Sequence, residues 1–368
     1  MKAKNVTDPA VRAEKYTKGR PIAPTYAHPM RRLLHWVGKA LYFAANKMEG
    51  EHFIIEHTGK VPEFIKNAQR KISTDRIACS IMDIEGCFPN MPKETIRFAI
   101  RDIFKQLQKQ GKKGVSVPRR STAKPCIWKQ RDDGSYVWLT FATILDVLDF
   151  SLDQAVFLRI DGKFLRQKKG IPMGDALSPG MTIGTCGWME REWMCSLDDA
   201  TKAMFAAARY MDDILLIYDD RMTWQKTRFL TDFGASECYQ PPLKLEKGTD
   251  GVFLETELHV GTCGIRYKLK NVNANGERKV WRYHHFSSYT PYSQKRATLV
   301  ATLKKVDKMA SDSHMRVASA YAKLAEFSQL GYPTRMLQYA CQRVGRETGH
   351  STWFKIAKGN KDPKIGEE

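Results

Sequence analysis

Residues 204–218 read MFAAARYMDDILLIY, in which two apolar runs flank a Tyr-Met-Asp-Asp tetrapeptide. Apolar runs joined by a short polar turn predict a β-hairpin, with the carboxylates of Asp212 and Asp213 at its tip. Two adjacent ionised carboxylates repel each other unless a cation lies beside them, and Mg²⁺ prefers such oxygens. Two Mg²⁺ ions roughly 3.5–4 Å apart stabilise the attacking and the leaving oxygen in phosphoryl transfer. The stretch therefore predicts a metal site suited to that chemistry.

An Asp-Asp pair alone is weak evidence, since Asp219 and Asp220 form a second pair that predicts only a solvated turn. A third carboxylate, Asp83, lies upstream in residues 81–88, IMDIEGCF, which read as an apolar strand with an aromatic residue five positions after the aspartate. Residues 167–179, QKKGIPMGDALSP, read as a basic, glycine-punctuated loop that leads into a helix of small residues. The three segments together favour the metal site over the solvated turn.

In order and spacing, these segments resemble motifs A, B and C of reverse transcriptases, and in particular those of Penelope-like retroelement polymerases. Met173 stands where many other reverse transcriptases carry Gln, and Penelope-like enzymes commonly have Met. Four further stretches are similar to signatures of that subfamily, namely residues 19–22 (GRPI), 88–92 (FPNMP), 253–255 (FLE) and 331–333 (GYP). The resemblance runs from about residue 18 to residue 344.

The resemblance implies an α+β right-hand polymerase with fingers, a palm whose antiparallel sheet packs on helices, and a helical thumb. The expected divisions are an N-terminal segment with fingers (1–70), a first palm part (71–94), a basic fingers insertion (95–165), a second palm part (166–262), a thumb (263–346) and a polar tail (347–368). Apolar periodicity predicts helices at residues 30–47, 61–71, 93–110, 141–152, 178–194, 294–310, 315–330 and 333–344. Turn signals predict hairpins around residues 132–134 and 161–162.

For the metal site, the resemblance implies that Asp83 and Asp212 bind both Mg²⁺ ions, with Mn²⁺ as an alternative ion. Asp213 is expected to be a weaker ligand, and the backbone carbonyl of Ile84 an additional one. The incoming nucleotide completes the coordination with its phosphates, because Mg²⁺ is usually held by a few carboxylates and by substrate oxygens. In this mechanism a primer 3′-hydroxyl attacks the α-phosphate and pyrophosphate leaves.

For the nucleotide, the resemblance implies that the ring of Phe88 clashes with a 2′-hydroxyl and so selects deoxynucleotides. Arg20 is the expected triphosphate clamp, assisted by Lys18 or Lys15, because a planar guanidinium suits phosphate oxygens. The floor beneath the nascent base pair is expected to consist of Pro172, Met173 and Gly174. The sequence departs from the family upstream of Arg20, where the usual Leu-Pro-Lys-x-His-Lys run is not found. We therefore expect shortened fingers.

Other basic and aromatic residues complete the expected site. A lysine after motif C is expected to protonate the leaving pyrophosphate, and both Lys244 and Lys247 are candidates. Tyr210 is expected to support the primer end. The thumb lysines are expected to follow the template–primer backbone without reading its sequence; they are Lys304, Lys305 and Lys308. The basic stretch 111–131 is either a nucleic-acid-facing insertion or a solvated loop.

The formal net charge is +20 at pH 7, and the region from residue 261 onward has 20 Lys and Arg against 8 Asp and Glu, a net of +12. Such an excess implies a polyanionic partner, and the alternative is a merely soluble basic surface. The 8 cysteines contain no Cys-x-x-Cys pair, which argues against a zinc module or a disulfide framework. No signal-peptide pattern and no long apolar run is visible. We expect an intracellular protein that is not secreted and does not span a membrane.

Three functions compete. The first is RNA-templated DNA synthesis, with an RNA template, a DNA or RNA primer and dNTPs as partners. The second, a polymerase that makes RNA, is disfavoured by Phe88 and by the Tyr-x-Asp-Asp form. The third is a domesticated nucleic-acid-binding protein with an inactive polymerase fold, which the intact carboxylates disfavour and the shortened fingers favour. No nuclease pattern is visible in the sequence, so we expect no endonuclease.

Overall fold

The computed structural model describes residues 28–72, 76–120, 124–154, 157–160, 163–221, 237–249, 251–262, 264–273 and 280–359. The chain divides into two compact units. The first unit comprises residues 1–56, 81–216 and 221–249, and the second comprises residues 57–80, 217–220 and 250–368. The expected mixture of helices and strands is confirmed.

The secondary structure follows in chain order. The helices are α1 (Arg31–Ala45), α2 (Val61–Ile72), α3 (Cys87–Asn90), α4 (Lys93–Lys109), α5 (Phe141–Asp153), α6 (Ser178–Ser196), α7 (Asp199–Ala203), α8 (Tyr292–Lys308), α9 (Ser313–Gln329), α10 (Thr334–Thr348) and α11 (Thr352–Gly359). The strands are β1 (Ile77–Ile84), β2 (Gly114–Pro118), β3 (Tyr136–Thr140), β4 (Phe157–Ile160), β5 (Lys163–Arg166), β6 (Phe205–Tyr210), β7 (Asp213–Asp219), β8 (Leu245–Lys247), β9 (Val252–Phe253), β10 (Thr256–Gly261) and β11 (Gly264–Leu269).

The helices predicted from apolar periodicity are confirmed, with bounds that differ by a few residues. Helix α4 shows why, since Ile96, Ile100, Ile103 and Phe104 recur at helical spacing and are all buried. The predicted hairpin around residues 161–162 is also confirmed in its strands, because β4 and β5 pair antiparallel. The turn residues themselves lie outside the described part of the chain.

Strands β6, β7, β1 and β8 form one sheet in that order, and β1 pairs with β8 in antiparallel register. The predicted hairpin over residues 204–218 is thereby confirmed. In β7, Ile214, Leu215 and Leu216 are buried on successive positions, because an interior strand covered on both faces has no solvent side. Asp219 corrects one expectation. It is not in a solvated turn but is the last residue of β7 and is buried, whereas Asp220 is exposed.

Helix α6 follows the loop of residues 167–177 and is buried along most of its length. Its small residues allow this burial, as the sequence indicated. A Cβ atom added to Gly184 would lie 2.6 Å from Cδ1 of Ile100 on α4, which is closer than such atoms approach. Helix α6 therefore packs against α4 and α1 at a spacing that larger side chains would prevent.

The basic stretch 111–131 enters a different hairpin from the one expected. Strand β3 begins just after residues 132–134, but its antiparallel partner β2 ends at Pro118, so the connection between the strands is long. Arg119 closes this connection, because its guanidinium donates to the carboxylate of Asp132 at 2.6 Å and to the carbonyl of Tyr136 at 2.8 Å. This arginine thus has a structural role within the insertion.

In the second unit, β9, β10 and β11 form an antiparallel sheet, and helices α8 to α11 enclose an apolar core. The core includes Leu299, Leu303, Phe327 and Trp353. Helix α11 departs from the expected polar tail of residues 347–368. Its residue Trp353 is fully buried, and the indole Nε1 donates to Oδ1 of Asp307 at 2.7 Å. This helix has only eight residues, so its apolar periodicity was too short for a helix to be predicted from the sequence.

No helix among the described residues has the length and apolar character that crossing a bilayer requires.

Candidate active site

The tight turn between β6 and β7 consists of Met211 and Asp212. Met211 has a φ of 58°, a left-handed conformation that residues with a side chain rarely adopt. Such strain is of the order of 1–3 kcal/mol and persists only where the surroundings hold it. The holding contact is visible, since Nη1 of Arg209 donates to the carbonyl of Met211 at 2.8 Å.

Two of the expected metal ligands lie on β1 and in the turn that precedes its neighbour β7. Asp83 is the penultimate residue of β1, and β1 lies beside β7 in the sheet. The backbone N–H of Ile84 donates to the carbonyl of Asp212 at 3.0 Å. Ile84 and Asp212, which are 128 positions apart in sequence, are thereby joined directly, and Asp83 is adjacent to this bond. Asp83 is 6% exposed, whereas Asp212 and Asp213 are partly exposed.

The donor set suits magnesium in a limited way. Among the described residues there is no group of three or more His, Cys, Asp or Glu side chains arranged to hold a metal ion. A pair of carboxylates with a nearby carbonyl remains, from Asp83, Asp212 and Ile84. Because Mg²⁺ usually keeps several waters and binds one or two carboxylates plus substrate phosphates, this pair is sufficient for it.

The loop before α6 lies against the segment that follows β1. The N–H of Ile171 donates to the carbonyl of Phe88 at 2.9 Å. Gly170 has a φ of 68°, and a Cβ there would lie 2.2 Å from the carbonyl oxygen of Pro89. Only glycine permits this approach. Motifs A and B, as the sequence defined them, are therefore in backbone contact beside Phe88.

The three residues expected to form the floor differ in exposure: Pro172 is buried, Met173 is partly buried and Gly174 is exposed. The carbonyl of Pro172 accepts a bond from Oγ of Ser178 at 2.7 Å. The sequence reasoning passed over Asp175, which is buried and accepts from Oγ of Ser151 at 3.2 Å. Burial raises the pKa of this carboxyl above its ordinary value.

The structure separates the two candidate lysines after motif C. Strand β8 pairs Glu246 with Asp83 and Lys247 with Met82. Side chains directly opposite each other share a face and successive ones alternate, so Lys247 lies on the face away from Asp83. The ladder continues to Lys244, whose carbonyl accepts from the N–H of Glu85 at 2.8 Å. By the same alternation, Lys244 lies on the face of Asp83.

A buried polar network supports the turn, and the sequence analysis did not identify it. Arg209 and Glu190 form an ion pair in which neither side chain is exposed. The second oxygen of Glu190 accepts from the N–H of Phe53 at 3.0 Å, and the hydroxyl of Tyr239 donates to the first at 2.6 Å. Burial, and then the nearby carboxylate, raise the pKa of Tyr239 well above its ordinary value, so this hydroxyl stays protonated. An arginine within the apolar run of β6 was the available signal.

A cavity of about 710 Å³ lies in the first unit between α1, residues 125–126 and the start of α6. Its lining includes Tyr42, Lys39 and Pro179. Burial raises the pKa of Tyr42, and the neighbouring Tyr210 adds to that effect, so the cavity adjoins the end of β6. Apolar atoms form most of its wall, although Lys47 and Glu56 also line it. The sequence contained no signal for this space.

The remaining expected site residues are placed as follows. Lys304 forms an ion pair with Glu347, and Lys305 forms one with Glu255, while Lys308 is exposed. A phosphate would therefore have to displace a carboxylate from the first two lysines. Arg20 and Lys18 lie outside the described residues.

Comparison with known proteins identifies similar structures and no similar sequences. No protein-family model matches the chain, and no curated protein matches its sequence. The telomerase of Candida albicans, solved with a fragment of telomeric RNA, is similar over 89% of this chain and 54% of its own, with a TM-score of 0.55 and 14% identity. The telomerase of Candida tropicalis, also solved with telomeric RNA, is similar over 96% of this chain and 50% of its own, with a TM-score of 0.51 and 14% identity.

The chain thus spans about half the length of these telomerase structures. At this identity the likeness concerns the fold, which in telomerase is the reverse-transcriptase fold.

Proposed function

We propose that the protein is an RNA-directed DNA polymerase that transfers nucleotides from dNTPs to a primer 3′-hydroxyl. The observation that carries the proposal is the bond from the Ile84 N–H to the Asp212 carbonyl, which brings the residue after Asp83 against the strained turn that carries Asp212. The likeness to telomerase supports the same fold. The intact carboxylates and the fold together favour this function over an inactive nucleic-acid-binding protein.

Asp83 and Asp212 are the residues that would hold Mg²⁺, with Mn²⁺ as an alternative ion. When bound, the two ions would supply charge stabilisation at the attacking and leaving oxygens. The protein's own part is to fix the geometry. The β1–β7 ladder aligns the two carboxylates, and Arg209 keeps the turn from relaxing through the Met211 carbonyl. Positioning of this kind provides a large share of the rate in phosphoryl transfer.

Phe88 is the proposed selector of deoxynucleotides. Its backbone is held by the Ile171 N–H, immediately beside the loop of Pro172, Met173 and Gly174. Because both segments are anchored to each other, a ring at this position cannot easily withdraw from a 2′-hydroxyl. The clash then acts against ribonucleotides, which is how a site excludes a close analogue.

Lys244 is the proposed proton donor to the leaving pyrophosphate. The register of β8 supports it over Lys247, because Lys244 shares the face of Asp83. A general acid must reach the group that it protonates, and geometry takes precedence over pKa in this choice. Arg20, Lys18 and Tyr210 keep their proposed roles at the triphosphate and the primer end. The right-hand division and the Penelope-like subfamily are likewise part of the proposal.

The test is primer extension on an RNA template with Mg²⁺, using dNTPs in one set and rNTPs in another. We expect extension with dNTPs alone, and we expect Asp212→Ala to reduce the rate by at least about 10³-fold, because it removes a ligand to both ions. Asp220→Asn is the matched control, since it changes an exposed aspartate in the chain's other Asp-Asp pair. Equal extension by wild type and Asp212→Ala would refute the assignment. Tight RNA binding without any extension would favour the nucleic-acid-binding protein.

A further inference from the structure

The second unit presents exposed tyrosines beside arginines. Tyr289 is fully exposed, Tyr292 is 59% exposed and Tyr339 is 41% exposed. Tyr292 and Arg296 are four residues apart on α8 and so share a face, as do Arg335 and Tyr339 on α10. The Arg296 guanidinium lies 5.6 Å from the centroid of the Tyr339 ring and links the two helices. We call these five residues the tyrosine surface.

The loop that carries Tyr289 is firmly held. The ammonium group of Lys295 donates to the carbonyls of Phe286 and Ser288, each at 2.6 Å. The N–H of Phe286 donates in turn to the carbonyl of Leu330 at 2.9 Å, at the end of α9. A side chain on an anchored loop loses little conformational entropy when a ligand covers it. The backbone that carries Tyr289 is therefore held in place, and its ring is fully exposed to a ligand.

The charge around the tyrosine surface is mainly positive, although Glu347 on α10 pairs with Lys304 and Arg343. Residues 280–306 contain five Lys and Arg and residues 327–346 contain three, and neither stretch contains Asp or Glu. Among the described residues, neither Arg296 nor Arg335 has a carboxylate within ion-pair distance. Lys304 and Lys305 differ, because each already forms an ion pair. The surface thus favours an anionic partner that also offers flat apolar faces.

Nucleic acid has both negative charge and flat apolar base faces. The base faces are accessible only where the strand is unpaired. In a duplex the base faces are stacked on one another, whereas unpaired bases can stack on aromatic side chains. We infer that the tyrosine surface binds single-stranded RNA, with bases on Tyr289, Tyr292 and Tyr339 and phosphates on the two arginines. The choice of RNA rests on the proposed function, in which RNA is the strand to be copied.

The test is fluorescence anisotropy of the full chain with an unstructured RNA of about 12 nucleotides. EDTA is present, so that binding does not depend on the metal site. We expect Tyr292→Ala and Tyr339→Ala each to weaken binding about tenfold, because each removes one stacking platform. Tyr292→Phe keeps the ring and should bind as wild type. Phe98→Ala is the matched control, since Phe98 is an aromatic residue of the first unit that is 62% exposed.

Three results would overturn the inference. They are unchanged binding by both alanine variants, an equal loss in Phe98→Ala, and an equal loss for duplex RNA, which would indicate a backbone contact. If the alanine variants lost affinity for single-stranded DNA of the same base sequence but kept it for the RNA, the assignment to RNA would be overturned. Asp212→Ala separates this inference from the proposed function, because that variant should lose extension and keep its RNA affinity.

Discussion

Two ion pairs, one in each unit, show how differently burial makes a basic residue and a glutamate interact. The side chains of Arg209 and Glu190 are both 0% exposed, whereas those of Lys304 and Glu347 are 46% and 33% exposed. Removing either buried partner leaves an uncompensated charge in a low-dielectric interior, while water and salt screen the exposed pair. The buried pair supports a fixed turn, and the exposed pair can be exchanged for another anion.

The buried pair is supported because its remaining polar atoms also have partners. The two oxygens of Glu190 accept from Tyr239 and from the Phe53 N–H, and Arg209 donates to the Met211 carbonyl as well. A network that is satisfied throughout holds one geometry, because any shift would strand a polar group. The exposed pair has no such requirement, since solvent replaces either partner.

The largest expected effect breaks the buried pair. Glu190→Gln removes the charge opposite Arg209 and should lower the free energy of unfolding by about 3–5 kcal/mol. Glu347→Gln, the matched change in the exposed pair, should lower it by less than about 1 kcal/mol. Urea denaturation of both variants measures the difference. Comparable small losses would show that burial does not distinguish the two pairs.

A smaller effect sharpens the comparison at the level of backbone strain. Met211 in the first unit has a φ of 58° and Leu254 in the second has a φ of 55°. Glycine relieves this conformation but adds freedom to the unfolded chain, so each change to glycine should alter stability by no more than about 1 kcal/mol. Met211→Gly should also slow primer extension about tenfold, because the carboxylate turn loosens. Leu254→Gly should extend as wild type, and an equal slowing there would contradict the assignment of the turn.

The smallest effect concerns pH, and the two units should respond with opposite sign. Hydrogen bonds from Arg266 hold the pKa of Asp312 well below its usual range, whereas burial raises the pKa of Asp175. Asp312 therefore contributes stability above pH about 4 that is lost as the pH falls through its folded pKa. Asp175 has the opposite effect on stability. Burial disfavours its ionised form in the folded state, so the free energy of unfolding falls as the pH rises and the carboxyl must ionise.

Asn variants at both positions test this sign by urea denaturation between about pH 2 and pH 7, which spans the titration of both carboxyls. Relative to wild type, Asp312→Asn should become less stable as the pH rises, by less than about 1 kcal/mol because its partner is exposed. Asp175→Asn should become relatively more stable over the same range. Slopes of the same sign would contradict the difference between the two carboxyls.

Several features of the site follow from sequence because their signals are local. The helices have apolar residues at a period that any neighbouring core would satisfy, and the hairpin of residues 204–218 has its turn between two apolar runs. The order of the carboxylate segments carried the resemblance to reverse transcriptases, and the reverse-transcriptase fold of telomerase agrees with it at that coarse level. The Penelope-like subfamily, the metals and the roles of individual residues stay predictions.

Other features have no local signal. The choice between Lys244 and Lys247 depends on the register of β8 against β1, which is set by pairing across more than 150 residues. Lys304 finds its carboxylate on α10 and Lys305 finds its own at Glu255, between β9 and β10, so a count of charges along α8 could not show either pairing. Helix α11 was missed because a short segment is stabilised by burying Trp353 rather than by its own propensity.

The amino-acid sequence was enough to specify the carboxylate hairpin, the helices and the basic character of the chain, because each depends on residues close together along it. Folding settled what those residues do to one another. It placed Asp83 beside Asp212, buried Arg209 with Glu190 under the turn, and left Tyr292 and Tyr339 exposed beside arginines. The physical reason is that burial and long-range pairing determine how strongly a charged side chain interacts with its neighbours. A local stretch of sequence specifies neither.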